Sequence, residues 1–323
     1  MTISLDVLLN IQNDLRRLDV NLKKMVGAKN PILYAAAEHL FKAGGKRIRP
    51  AIILLVALST TKQSTILPEH KRLAEIIEII HTASLVHDDV VDECHTRRGA
   101  RTVHKRFNNK IAVLAGDFLF AQSSWYLANL NNLEVVKTIS KVITDFAEGE
   151  IRQGMSHFDE SISLENYIEK SFYKTASLIA SSCKATAILS STDARTQKYF
   201  YLYGKHLGLA FQIVDDILDI IGSKTSLGKP AGLDLKNGNL TAPVIFALED
   251  KSELHKLINR EFQRSNDIDK AIRIIKNSNG IQKAYDLAQE HTQASLQALK
   301  KAKSNKNQEK LAYMTEYLVN RLQ

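Results

Sequence analysis

Apolar residues along the chain recur at spacings of three and four, as in Leu73, Ile76, Ile77 and Ile80, and again in Ile111, Leu114 and Phe118. Strict alternation over a strand's length is scarce. A period near 3.6 predicts helices with one buried face, not a half-exposed sheet. Proline placement agrees with this. Pro31, Pro50, Pro68, Pro230 and Pro243 leave Glu69 to Lys229 free of the residue that breaks helix interiors. The expected fold class is all-α. Segment 222–243, GSKTSLGKPAGLDLKNGNLTAP, gathers glycine, asparagine and two prolines and predicts a long irregular connection. No comparable break precedes it, so residues 1–323 are expected to form a single domain. After Gly280, the stretch containing KKAKSNKNQEK reads as surface helix and solvated turn.

Two aspartate triplets interrupt this apolar pattern. Asp88, Asp89 and Asp92 stand at i, i+1 and i+4, and Asp215, Asp216 and Asp219 repeat the spacing. On a helix, i and i+4 share a face. Gln212, Asp215, Asp216 and Asp219 form one polar stripe, and His81, Ser84, Asp88 and Asp92 form another, each among isoleucines, leucines and valines. Clustered carboxylates in a low-dielectric interior repel one another and lose hydration, so such a stripe calls for cations. An all-oxygen donor set favours a hard ion, Mg2+ over zinc. Mg2+ takes few carboxylates from protein, which leaves phosphate oxygens of a substrate as its other ligands.

Composition narrows the chemistry further. With 323 residues, 44% hydrophobic and 24% charged, the chain is an ordinary globular one, and its net charge of +9 points to an anionic partner. Cys94 and Cys183 stand far apart, which gives neither a zinc framework nor a disulfide lattice. The first residues carry Asp6, Asp14 and Asp19, unlike a transit peptide, so the sequence reads as a mature chain. Its longest fully apolar run, Ala51 to Leu58, falls far short of the roughly 20 residues that span a bilayer. No transmembrane span is predicted, and a peripheral membrane contact stays open.

Basic residues occur in short clusters: Lys46, Arg47 and Arg49 within GGKRIRP, Arg97-Arg98-Gly99 just after the first triplet, Lys174-Thr175, and Lys229 in the glycine-rich segment. Arginine holds a diphosphate bidentately, and lysine acts as a point charge. A metal cluster with these cations and no nucleophile triad suits chemistry in which diphosphate departs and a carbocation forms. No nucleic-acid motif is visible, so no nucleic-acid partner is expected.

These residues are shared with a known family. Through GGKRIRP (44–50), HTASLVHDDVVDE (81–93), RRGARTVHKRF (97–107), AGDFLFAQ (115–122), YKTASL (173–178), FQIVDDILD (211–219) and GKPAGLDL (228–235), the chain resembles the trans-isoprenyl (polyprenyl) diphosphate synthases. LAGDFLFAQSSWYLANL is most similar to the long-chain, solanesyl-type synthases of photosynthetic lineages. The resemblance implies an isoprenoid-synthase-type helical bundle around a central cavity, working as a homodimer with two or more Mg2+ per subunit. An allylic diphosphate would bind through Mg2+ at Asp88, Asp92 and Asp215, with Arg97, Lys174, Thr175, Gln212 and Lys229 on its phosphates. Isopentenyl diphosphate would meet Lys46, Arg49, His81 and Arg98. Asp88, Asp92 and Lys174 are the implied catalytic residues, and Asp89, Asp216 and Asp219 look like supporting ligands. Cys94 and Asn108 depart from the usual pattern, at positions outside this set.

Product length follows from burial. Each CH2 buried gains roughly 0.8 kcal/mol, so a growing chain binds better with every unit and only a wall stops it. Ala83 and Ser84, about one turn before Asp88, are both small. A deep tunnel and a product beyond the C15–C20 class are expected, with Trp125 or Tyr126 as candidates for its floor. The implied destination is the nonaprenyl side chain of plastoquinone. A geranylgeranyl-type short-chain synthase, a non-catalytic subunit of a heteromeric synthase and a class I terpene cyclase are the alternatives. Lysine in excess of arginine and abundant isoleucine and asparagine suit an AT-rich genome, and the plastid stroma (chloroplast) is favoured over a bacterial cytoplasm.

Overall fold

The computed structural model describes residues 10–42, 44–222, 231–303, 305 and 307–319, so Lys229 lies outside the described residues. In chain order the helices are α1 (Gln12–Met25), α2 (Pro31–Lys42), α3 (Ile48–Thr60), α4 (Pro68–Val91), α5 (Val103–Arg106), α6 (Asn109–Ala128), α7 (Leu133–Met155) and α8 (Leu164–Ser171). A π-helical turn (Phe172–Ala176) follows, then α9 (Ser177–Leu189), α10 (Ala194–Ile221), α11 (Leu233–Lys236), α12 (Ala242–Leu248), α13 (Ser252–Ile258), α14 (Asp267–Lys276), α15 (Gly280–Lys301) and α16 (Gln308–Val319). Among the described residues the only strands are β1 (Thr96–Arg97) and β2 (Ala100–Arg101), paired antiparallel. The fold class is all-α, as the apolar period predicts.

Two compact units emerge, neither continuous in sequence. Unit 1 comprises Met1–Ile143, Ser181–Tyr201 and Lys300–Met314, and unit 2 comprises Thr144–Ala180, Leu202–Leu299 and Thr315–Gln323. Every boundary falls inside a helix, so no linker composition marks it.

Unit 1 is organised by α3, α4 and α6. Helix α3 is apolar all round, with Ala51 to Leu58 no more than 7% exposed, as a helix buried on every face must be. Pro68 opens α4, where its missing N–H costs nothing. Helix α4 packs against α3 and α6. Gly116 permits the close approach of α6, since a Cβ there would fall 2.1 Å from His87 Nε2. By length and composition alone α6 could cross a membrane. Here it buries Ala112, Ala115, Gly116 and Leu119 and turns Val113, Leu114 and Trp125 outward at 42%, 48% and 60% exposure. That outward position removes Trp125 as a tunnel floor within one chain. Tyr126 is half-buried, against Trp125 and beneath the Arg72 guanidinium.

In unit 2, Ile213, Val214 and Ile217 of α10 pack with Tyr167, Ala284 and Ala288. A second cluster joins Leu235, Leu240, Val244, Leu254, Ile258 and Ile275. The segment expected to be irregular is partly helical: Gly232, at φ 75°, opens α11, and Pro243 sits in the first turn of α12. Proline there is a start signal, which a count of breakers alone does not reveal.

Candidate active site

The predicted site residues form two groups, one in each unit. In unit 1, Asp88 and Asp89 occupy the last turn of α4, and Asp92 is its C-cap. A helix C-terminus carries the negative end of the dipole, so three carboxylates there are electrostatically unfavourable without countercharge. The chain supplies part of it through a hairpin. Thr96 pairs with Arg101 and Arg97 with Ala100, leaving Arg98 and Gly99 as a two-residue loop. Both have left-handed φ, 54° and 77°, as a type I′ turn requires.

This turn sends its two arginines to different partners. Arg97 Nε donates to Asp89 Oδ1 at 2.6 Å, and the Arg98 guanidinium donates to the Gly44 carbonyl. Asp89 is 1% exposed, and burial raises its pKa against the pull of Arg97. Its Oδ2 is buried with no hydrogen-bond partner. Of the first triplet, therefore, Asp89 faces an arginine, and Asp88 and Asp92 remain half-buried on the stripe.

Unit 1 also carries a cationic group about His81. Arg49 Nη1 donates to His81 Nε2 at 3.0 Å, which puts the imidazole proton on Nδ1. Burial, with Arg49, Arg98, Arg97 and Arg47 nearby, pushes the His81 pKa well down, so this histidine is neutral. Lys46 is exposed. Arg47 is directed elsewhere: its φ of 49° turns the chain before α3, and its guanidinium pairs with buried Glu78 at 2.5 Å and Asp19 at 2.8 Å.

In unit 2, Gln212, Asp215, Asp216 and Asp219 lie in the last three turns of α10. They are wired together. Thr175 Oγ1 donates to Gln212 Oε1 at 2.6 Å, Gln212 Nε2 donates to Asp216 Oδ1 at 2.8 Å, and Tyr167 OH donates to Asp216 Oδ2 at 2.5 Å. Burial, then Asp234, pushes the Asp216 pKa up to about 8. Asp219 Oδ2 accepts from the Asp234 amide at 3.2 Å, and Asp215 is half-buried. The π-helical turn carries Lys174 and Thr175, and π turns are rare and frequently functional. Lys174 Nζ is held by Glu150 Oε1 at 2.9 Å and Gln153 Oε1 at 3.1 Å.

Sequence reasoning missed Tyr167, Glu150, Gln153 and Glu78. The spacing of Glu150 and Gln153 on α7, i and i+3, is the one signal that marks a shared polar face. Among the described residues, no three carboxylate, imidazole or thiol groups stand close enough to cage a metal alone.

Residues 30–275 match the Polyprenyl synthetase family. A prenyl transferase of Porphyra purpurea is 62% identical over 97% of both chains. A prenyl transferase of Synechocystis is 55% identical over 97% of both. The chloroplastic solanesyl diphosphate synthase 2 of Arabidopsis thaliana is 53% identical over 92% of this chain and 72% of its own. Among solved structures, a polyprenyl synthase of Caulobacter crescentus complexed with calcium and isoprenyl diphosphate superposes with a TM-score of 0.91, at 32% identity over 99% of each chain. Matched by the family over residues 30–275 and by relatives 53% to 62% identical along most of its length, the chain belongs to the polyprenyl synthetase family.

Proposed function

We propose that the chain, acting as one catalytic domain, is a trans-polyprenyl diphosphate synthase that adds isopentenyl diphosphate repeatedly to an allylic diphosphate and makes a long-chain product. The observation that carries this reading is the placing of both aspartate triplets near helix C-terminal ends, the first with Arg97 on Asp89 and the second with Tyr167 and Gln212 on Asp216. Three carboxylates at the end of α4, where the dipole opposes them, and three more near the end of α10 suit chemistry that brings in added positive charge. The buried, unpartnered Asp89 Oδ2 points the same way.

Asp88, Asp92 and Asp215 would hold Mg2+, which supplies neutralisation of the departing diphosphate when bound. Arg97, Lys174 and Thr175 with Gln212 orient the allylic diphosphate, and Lys229, outside the described residues, is assigned to it on the sequence resemblance alone. Lys46, Arg49 and Arg98 hold isopentenyl diphosphate, and neutral His81, its proton on Nδ1, adds a hydrogen-bond donor without competing for the guanidinium charge. The C–O bond of the allylic diphosphate breaks, the isopentenyl double bond attacks the cation, and a proton leaves to the released diphosphate. Apolar walls exclude water from the cation. Ser84, half-buried with its Oγ donating to the His81 carbonyl at 3.0 Å, is small enough to leave room below Asp88 for a growing chain, and Ala83 beside it is fully buried.

The outward face of α6 supports a homodimer, and the chloroplastic and cyanobacterial relatives support a plastid location, with plastoquinone side-chain supply as the role. The test is incubation with labelled isopentenyl diphosphate, Mg2+ and allylic primers of several lengths, followed by chain-length analysis. All-trans products beyond C20 are expected, and Asp88→Ala should abolish turnover with helical content retained. A cyclic hydrocarbon, products of C20 or shorter only, or near-normal Asp88→Ala activity would overturn the reading.

A further inference from the structure

Lys170 is the residue whose placement the proposed chemistry does not yet use. It sits in α8, one turn before Lys174, and is only 5% exposed, although lysine is almost never buried without a partner. Its Nζ donates to Asn239 Oδ1 at 2.5 Å. Asn239 in turn donates from Nδ2 to Asp234 Oδ1 at 3.2 Å, and its amide bonds the Asp234 carbonyl at 2.8 Å. The Asp234 amide donates to Asp219 Oδ2, and the Gly232 amide bonds the Asp219 carbonyl at 2.8 Å. A continuous chain of hydrogen bonds therefore runs from the α8 ammonium, through segment 232–239, to the C-terminal end of α10.

The electrostatics run along the same path. Burial lowers the Lys170 pKa, and Asp216 and Asp234 oppose that shift, so both carboxylates act on the ammonium. Tyr167, from the same helix, donates to Asp216 Oδ2. Helix α8 thus meets the second aspartate stripe with a hydroxyl and an ammonium three residues apart, one on Asp216 and one on the segment that buttresses Asp219. Lys174, a turn later, is directed instead to Glu150 and Gln153. The π-helical turn between α8 and α9 separates the two lysines in role: one toward α7, one behind the stripe.

We propose that Lys170 is a positioning residue for the allylic diphosphate and metal subsite: held by Asn239, it offsets the carboxylate charge behind the stripe and fixes segment 232–239 on α10, so that Gln212 and Asp215 keep one geometry. This inference rests on the assignment of Gln212 and Asp215 to that subsite. It places no part of Lys170 on the substrate.

The test compares Lys170→Met, close in length and uncharged, and Lys170→Arg with the full-length wild type, and runs Asp215→Ala alongside. For Lys170→Met, kcat/KM for the allylic diphosphate should fall about 10- to 100-fold, the range for residues that orient metal ligands. The KM for isopentenyl diphosphate should stay within about twofold, because Arg49, His81 and Arg98 are set by unit 1 contacts that do not involve Lys170. Lys170→Arg should recover most of the loss, and far-UV circular dichroism should be unchanged in both. An Asp215→Ala enzyme that is dead beside a Lys170→Met enzyme with wild-type constants overturns the Lys170 proposal alone. An Asp215→Ala enzyme with near-normal activity overturns the site assignment beneath it. Equal loss toward both substrates with lowered melting temperature and no rescue by arginine reduces Lys170 to a fold residue, which also overturns the proposal.

Discussion

Gly45 lies against the Arg98 guanidinium so closely that a Cβ would fall 2.7 Å from Nη1 and 2.9 Å from Cζ. The fold could absorb a methyl group there, since Arg98 is exposed and can swing away, but the arginine would leave its place beside Gly44. In Gly45→Ala the KM for isopentenyl diphosphate should rise about ten- to hundredfold, the equivalent of one charge-assisted hydrogen bond at roughly 1.5–3 kcal/mol, with helicity unchanged. Steady-state kinetics on the variant decide this, and an unaltered KM would remove Arg98 from the isopentenyl set. At this scale the aspartate triplets were readable because i and i+4 spacing survives any detail of packing. The division of labour within GGKRIRP was not. One left-handed residue, Arg47 at φ 49°, sends its guanidinium to Glu78 and Asp19, and adjacent basic letters carry no sign of such a turn. The roles of Arg97 and Arg98 were hidden in the same way, because the hairpin that parts them depends on two consecutive positive φ angles.

Among the helices of unit 1, α3, α4 and α9 are joined by one buried imidazole. His70 is fully buried: its Nδ1 accepts the Leu67 amide at 3.2 Å, closing the first turn of α4, and its Nε2 meets Ser190 Oγ at 3.1 Å. Ser190 Oγ also lies 2.7 Å from Thr60 Oγ1 at the end of α3. Burial holds the His70 pKa down at about 4, against 6.5 in the unfolded chain. The folded group is thus the weaker base, the unfolded state binds more protons between these values, and stability drops as pH falls from 6.5 toward 4. Between pH 7.5 and pH 5 the His70 contribution amounts to roughly 2 kcal/mol. Urea unfolding at the two pH values should show that loss in the wild type and a smaller one in His70→Gln. Equal pH dependence in both would exclude His70 as the group responsible. The existence of these helices follows from apolar period and proline placement alone. The π-helical turn and α11 do not, because an extra residue in a turn and a four-residue helix leave the period of their neighbours intact.

At the scale of the whole molecule, sequence supports one uninterrupted run of helices, and the division into two units is invisible to it because each boundary is buried inside a helix instead of lying in a polar linker. What sequence does contain is a residue pattern that the chain alone leaves unsatisfied. On α6, Val113, Trp125 and their neighbour Leu114 line an outward face, interrupted by Asp117. A tryptophan at 60% exposure leaves a large aromatic surface in water, and exposed aromatic side chains are enriched where proteins meet. In the proposed homodimer a second copy would cover this face, since a two-fold axis sets a patch against itself and closes the assembly at two subunits. Trp125→Glu would put an unpaired charge at the centre of that contact. It should weaken association by at least about 2 kcal/mol, or about thirtyfold in Kd. Analytical ultracentrifugation at micromolar protein should then report a dimer for the wild type and a dissociating or monomeric species for the variant. A monomeric wild type, or a variant that remains fully dimeric, would show that this face is not where two chains meet.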